Sequence, residues 1–258
     1  MQYSEILYAV ENDIATITLN KPDAMNGLTA QMRAELLHAF RRAPSEARVI
    51  VYTGAGRGFC SGQDLGDAGN VDDIELEGTL RDEYEPMLRA IYDCPVPTIA
   101  AVNGPAAGAG ANLALAADVV IATQSAVFMQ AFTRIGLIPD AGGTYWLPRQ
   151  VGFSRAMGAA LFAEKIDAKQ AEDWGMIWQA VPDSEFMDVV NARAHQLATG
   201  PSEAYRLLKK AMRLSFDQTL DQQLESEAHL QGKAGRTRDF KEGVMAFLEK
   251  RSAKYEGR

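Results

Sequence analysis

Apolar residues recur at two spacings along this chain, and the switches between them mark out its elements. Ile6 to Val10 and Ile14 to Leu19 are β-rich runs separated by Glu11-Asn12-Asp13, which predicts an opening hairpin. Lys21-Pro22-Asp23 breaks the second run. Thr29 can then cap a helix whose apolar face is Met32, Leu36, Leu37 and Phe40. Val49 to Tyr52 reads as a short buried strand, closed by the turn Thr53-Gly54-Ala55-Gly56. Asp67 to Gly78 is acidic with weak periodicity, the pattern of a mobile surface loop. Helical spacing resumes through Leu80, Tyr84, Leu88 and Ile91, up to Tyr92. A strand over Val96 to Val102, a helix over Gly108 to Ala117 and a strand over Val119 to Ala122 follow. Strands alternating with helices predict an α/β core.

From about Ala192 the strand signals stop. Leu207, Leu208, Met212 and Leu214, then Leu220, Leu224 and Leu230, then Val244, Phe247 and Leu248 trace amphipathic helices. The expected organisation is an α/β core over residues 1–191 and a helical region over 192–258 that docks on the core or on a neighbouring subunit.

Composition narrows the function classes. The formal net charge is −8, with no run of five like charges, which argues against non-specific nucleic-acid binding. An anionic ligand stays possible, because helix N-termini and a few lysines hold phosphates on acidic proteins. The two cysteines, Cys60 and Cys94, allow neither a disulfide framework nor a C-x-x-C metal signature; a reducing cytoplasm is the expected setting. Met1 to Glu11 carries acids where a signal peptide needs a basic start. The most apolar stretch, Val96 to Ala122, is interrupted by Asn103, Pro105, Asn112 and Asp118, so it reads as packed core and not as a membrane span.

Two glycine-rich stretches each follow a strand: Arg57 to Leu65, and Asn103 to Asn112. Small residues there let backbone N–H groups approach a ligand, and the second stretch opens a helix whose free N–H groups and dipole point at one spot. Two N–H groups converging from separate loops would form an oxyanion hole. Taken singly, each run reads as close helix–strand packing. Gly104, Gly108 and Gly110 do not have dinucleotide-fingerprint spacing, and no phosphate-binding G-x-x-x-x-G-K-[ST] occurs. A third segment, Gly136 to Arg149, places Asp140 between Pro139 and the pair Gly142-Gly143. By spacing alone Asp140 reads as a helix N-cap. His38, His195 and His229 lack metal-ligand spacing and a G-x-S-x-G partner, which predicts surface or packing roles. Nothing in the sequence supplies a base that would activate Cys60. Trp146, Trp174 and Trp178 read as core residues, and no metal site is expected.

Together these segments resemble the crotonase (enoyl-CoA hydratase/isomerase) family nearly end to end. Asn20-Lys21-Pro22 to Asn26-Gly27-Leu28 is similar to its N-R-P-x-x-x-N-A-L, and Phe59 to Asp64 to its F-x-A-G-x-D. Asn103-Gly104 with the Gly/Ala run resembles N-G-x-x-x-G-G-G-x-x-L, followed by a helix ending in Asp118. Gly136 to Arg149 resembles G-x-x-P-x-x-G-G-T, and Ala246 to Arg251 resembles A-F-x-x-K-R. The resemblance implies a spiral of ββα units with a C-terminal helical region that mediates trimers or dimers of trimers. It implies an acyl-CoA thioester as ligand, with coenzyme A entering as part of the substrate and no other cofactor. It implies the N–H groups of Ser61 and Ala109 as the oxyanion hole. Gln63, Asp64 and Leu65 would contact coenzyme A, as would Phe247 and Lys250 from a neighbouring subunit.

Departures from the pattern refine this. The positions matching the two glutamates of family hydratases are Asn112 and Phe132, which with Tyr145 would line the substrate pocket. Phe132 cannot transfer a proton and Asn112 is a poor base. Asp140, where hydratases usually have glycine, is left as the catalytic acid, its pKa expected to rise in a dry pocket. Within the family the chain is most similar to ring-epoxide isomerases of phenylacetate degradation, through Ala106 to Ala109, Gly136 to Asp140 and Trp174 to Trp178. Those enzymes convert 1,2-epoxyphenylacetyl-CoA to oxepin-CoA and can move a double bond from the 3 to the 2 position. An enoyl-CoA hydratase and a non-catalytic acyl-CoA-binding relative are the competing readings.

Overall fold

A computed structural model of the chain describes residues 2–64, 66 and 75–257. The expected loop from Asp67 falls mostly outside them; its last part already enters a helix, Leu76–Thr79. The opening hairpin forms as expected, β1 (Ile6–Glu11) pairing antiparallel with β2 (Ile14–Leu19). Thr29 caps the helix Ala30–Arg42, its hydroxyl accepting from the Met32 N–H at 3.0 Å. Met32, Leu36 and Phe40 are buried beneath that helix, and Leu37 packs at the margin.

β3 (Val49–Gly54), β4 (Thr98–Val102), β6 (Val119–Thr123) and β9 (Gln179–Val181) add in parallel to give a six-stranded sheet of order β1-β2-β3-β4-β6-β9. A smaller sheet joins β5 (Ala106–Ala107), β7 (Val127–Met129) and β8 (Ile166–Asp167). The central parallel strands are apolar at most positions because both faces are covered. Ile50, Tyr52, Ala100, Val102, Val120 and Ala122 point into the main core, with the helices Ala30–Arg42, Glu85–Tyr92 and Ala109–Leu115. Their alternates Val49, Val51, Ile99, Ala101 and Ile121 meet Phe186, Val190, Ala194 and Ala198 of the helix Phe186–Ala198. That helix crosses the expected division between residues 191 and 192. Tyr52, fully buried, donates its hydroxyl to Leu113 O at 2.8 Å and so ties β3 to the helix behind the second glycine stretch.

Three further helices follow: Ser202–Leu214, Leu220–Ala234 and Arg238–Leu248. Few of their side chains are buried, and Leu208, Met212, Leu224, Phe240 and Phe247 are exposed. The first is fastened by charge. Asp118 accepts from Lys209 at 2.6 Å and Arg213 at 2.7 Å while also accepting from the Thr98 N–H at 2.8 Å. Among the described residues no helix is long and apolar enough to cross a membrane.

Candidate active site

The first glycine stretch is threaded between two backbone neighbours. Leu28 N–H donates to Gly62 O at 2.8 Å, and Asp64 N–H donates to Leu28 O at 3.2 Å. This parallel bridge aims the N–H of the residue between them, Gln63, away from Leu28. On the other side Ala107 N–H donates to Cys60 O at 2.9 Å, which brings the loop against the start of the helix Ala109–Leu115. Gly62 has φ +94°, and a Cβ there would stand 2.8 Å from Ala107 O and 3.3 Å from Ala109 N. Only glycine leaves the Ala109 N–H approachable.

One expectation is corrected here. The Ser61 N–H donates to Met25 O at 2.9 Å, so it is already consumed inside the protein. The N–H groups of Gln63 and Ala109 have no acceptor among the described residues. The N–H groups left free beside the two loops are therefore those of Gln63 and Ala109. The Gln63 side chain is itself held, its Oε1 accepting from Tyr84 at 2.5 Å and from Arg33 at 3.2 Å. Asp64 pairs with Lys21 at 3.4 Å. Leu65 lies outside the described residues.

Asp140 opens a tight turn in which Gly143 N–H donates to Asp140 O at 2.8 Å. Both central residues have positive φ, Ala141 at 47° and Gly142 at 80°. For Ala141 the left-handed region costs roughly 1–2 kcal/mol. The helix Gly143–Val151 starts from Gly142 without a side-chain cap, so the capping role read from spacing is not the one Asp140 plays. Its Oδ1 is buried with no hydrogen-bond partner among the described residues. Burial pushes its pKa up to about 6, as a dry pocket requires.

Asp140 lines a cavity of about 960 Å³ whose wall includes Tyr84, Leu88, Tyr92, Tyr145 and Trp146. Tyr145 is where the sequence placed it. Trp146 packs against the core as expected and also walls the cavity, its ring centroid 5.1 Å from that of Tyr92. Trp174 is packed against the core, and Trp178 is exposed. The Tyr92 and Tyr145 hydroxyls are 3.3 Å apart, and burial followed by that contact pushes Tyr92 up to about 12. Lys209 and Arg213 complete the rim, so the helix Ser202–Leu214 forms one side of the cavity. Tyr84 links the two parts of the site: its hydroxyl holds Gln63, it walls the cavity, and its phenol is raised by burial with a contribution from the Asp140 charge.

Two expected pocket residues do not line that cavity. Asn112 is fully buried in the helix Ala109–Leu115, its amide donating to Asp140 O at 2.8 Å and accepting from Gln130 at 2.8 Å. It sits behind the Asp140 turn, with its oxygen and one of its N–H groups bonded there. Phe132 is 6% exposed and packs beneath Gly108, where an added Cβ would lie 3.7 Å from its ring. Phe247 is 83% exposed, and Lys250 is exposed with φ 54°. Cys60 is buried and its thiol pushed up to about 12 by that burial, which suits packing and not nucleophilic attack. Among the described residues no cluster of His, Cys, Asp and Glu could hold a metal ion. Sequence reasoning missed that the Gln63 N–H is the free one, along with the contacts of Tyr84, Arg33 and Gln130. The F-x-A-G-x-D spacing marked the loop but not which of its N–H groups is free.

An α/β core with a helical tail and two glycine loops beside a partly buried carboxylate is the architecture that the comparisons with known proteins also find. The chain belongs to the enoyl-CoA hydratase/isomerase (crotonase) family, whose model matches residues 9–258. It is 61% identical, over the full length of both chains, to a Rhodobacter capsulatus protein described as "Probable enoyl-CoA hydratase". It is 46% identical to the 1,2-epoxyphenylacetyl-CoA isomerase of Escherichia coli, over 98% of each chain. Its structure is similar to that of an enoyl-CoA hydratase subunit from Geobacillus kaustophilus, with TM-score 0.93, 32% identity and full coverage of both chains.

Proposed function

We propose that this enzyme is an acyl-CoA isomerase that forms oxepin-CoA from 2-(1,2-epoxy-1,2-dihydrophenyl)acetyl-CoA and also moves a 3-enoyl double bond to the 2 position. The observation that carries the reading is Asp140: a cavity carboxylate with an unpartnered buried oxygen and a pKa raised to about 6. Such a group can take a proton near neutral pH and give it back. Hydration needs groups that hold and split a water. At the two hydratase positions stand Asn112, whose amide is already bonded, and Phe132.

The thioester oxygen would accept from the Gln63 and Ala109 N–H groups, stabilising the enolate formed when Asp140 removes a proton from C2. The protonated Asp140 then delivers that proton to C4 of a linear chain, and no atom is gained or lost. For the ring substrate, the same shuttle carries the α-proton to a ring carbon once the epoxide has opened into the seven-membered ring. The aromatic wall of Tyr84, Tyr92, Tyr145 and Trp146 suits a flat unsaturated acyl group. Phe247 and Lys250 are proposed to reach coenzyme A on a neighbouring subunit of a trimer. The exposed apolar rows of the C-terminal helices support that assembly.

The test incubates wild type and Asp140→Asn separately with a linear 3-enoyl-CoA and the ring epoxide, then separates products by chromatography. The expected result is 2-enoyl-CoA and oxepin-CoA from wild type and neither from the variant. Accumulation of 3-hydroxyacyl-CoA would support the hydratase reading suggested by the Rhodobacter relative's description.

A further inference from the structure

Asn112 and Gln130 are both fully buried polar side chains, and neither lines the cavity. Their bonds run in one direction. Gln130 Nε2 donates to Asn112 Oδ1 at 2.8 Å, and Asn112 Nδ2 donates to Asp140 O at 2.8 Å. A flipped Asn112 amide would set its oxygen against the Asp140 carbonyl and its NH₂ against the Gln130 donor. The Asp140 carbonyl, which can only accept, fixes the sense of the Asn112 amide, and Gln130 answers the Oδ1 left on its other side.

The segment receiving this bond is under strain. Ala141 adopts the left-handed region without being glycine, and a turn of that shape relaxes unless its surroundings hold it. Gly143 packs directly on the amide: a Cβ there would sit 2.3 Å from Asn112 Nδ2. The helix Ala109–Leu115 that carries Asn112 begins at the residue whose N–H faces the thioester site. Asn112 therefore ties the turn bearing the carboxylate to the helix bearing an oxyanion donor.

We propose that Asn112 and Gln130 are positioning residues that hold the Asp140 carboxylate at a fixed distance from the oxyanion site. This rests on the reading of Asp140 as the proton shuttle. A residue that matches a hydratase glutamate in the sequence pattern has here become the support for a carboxylate on another loop. The role is indirect, since Asn112 touches the Asp140 backbone and no reacting atom.

The experiment compares Asn112→Leu, Gln130→Met and the double variant in 3-enoyl-CoA turnover, normalised to folded protein by circular dichroism. Expected for Asn112→Leu is a loss in kcat of at least tenfold with KM changed less than threefold. Its acidic pH-rate limb should move below that of wild type as the carboxylate gains water. Gln130→Met should lose two- to fivefold in kcat, and the double variant should match Asn112→Leu, because Gln130 acts through Asn112. A purely structural role would lower the melting temperature while leaving kcat per folded enzyme and the pH limb in place, and that result overturns the proposal. Should Asn112→Leu fail to fold, kcat and the pH limb of Gln130→Met decide. An active Asp140→Asn enzyme would instead sink the proton-shuttle reading. An inactive Asp140→Asn beside unperturbed Asn112 and Gln130 variants would sink this inference alone.

Discussion

Lys209 reaches across from the helix Ser202–Leu214 to place its ammonium 2.6 Å from Asp118 at the end of the core. Burial lowers the Lys209 pKa, and the Asp118 charge opposes that. The lysine also donates to Val96 O at 2.7 Å, so one side chain closes the tail onto two core segments. Removing Asp118 leaves this ammonium and Arg213 facing each other with no anion between them. Asp118→Asn is expected to lower stability by about 3 kcal/mol, the usual cost of stranding a buried charge. Lys209→Met should cost less, since Asp118 keeps Arg213 and the Thr98 N–H. Urea denaturation of both variants measures the difference.

Asp140 should set the pH dependence of turnover. With its pKa pushed up to about 6 by burial, kcat is expected to rise through pH 6 and level off above pH 7. A pH-rate profile on a linear 3-enoyl-CoA checks this, and a limb near pH 4 would mean that the carboxylate is hydrated during turnover.

The same carboxylate should weaken the fold at neutral pH. A native pKa above the unfolded value means that the native state binds more protons between about pH 4 and pH 6. Stability therefore falls as pH rises through that window and stays lower above it. Asp140→Asn is expected to melt at higher temperature than wild type at pH 7 and at the same temperature at pH 4. Calorimetry at the two pH values gives the answer, and a variant less stable at pH 7 would contradict it.

Gly62 is expected to be irreplaceable. Gly62→Ala must hold φ near +94° and press its Cβ between Ala107 O and Ala109 N. The left-handed penalty alone is about 1–2 kcal/mol, and the crowding adds to it. At least a tenfold loss in kcat/KM should accompany the drop in melting temperature. Steady-state kinetics together with a thermal melt would show whether both occur.

The sequence was most informative where chemistry is local. The hairpin, the Thr29 cap and the two-sided strands follow from nearest-neighbour patterns, and each stands at or within a few residues of its expected place. What resisted reading depends on partners distant in the chain. Which N–H of the Phe59 to Asp64 loop is free is decided by Met25 and Leu28, so the family pattern pointed to Ser61 and left Gln63 as a coenzyme A contact. Asp140 sits in a sequence setting suited to a cap, yet the turn around Ala141 carries its carboxylate into the cavity and leaves capping to Gly142. Asn112 was assigned to the pocket by its place in a motif, and only the fold reveals Gln130 and the Asp140 carbonyl on either side of it. The π-helical turn Leu80–Tyr84, which ends at the tyrosine that holds Gln63, leaves no mark on the apolar spacing.

Tyr52 gives the sheet a hold over the chemistry that distance alone would not suggest. Its hydroxyl grips Leu113, the neighbour of Asn112, so the height of β3 against its flanking strands meters where the helix of Ala109 and Asn112 comes to rest. A one-residue deletion within Val49 to Val51 that shifts the strand beyond it would turn Tyr52 to the opposite face and withdraw that grip. The lesion would lie in the middle of the sheet, with each glycine of the two loops still present in the sequence. Its first symptom would be an oxyanion site and a carboxylate that no longer share an address.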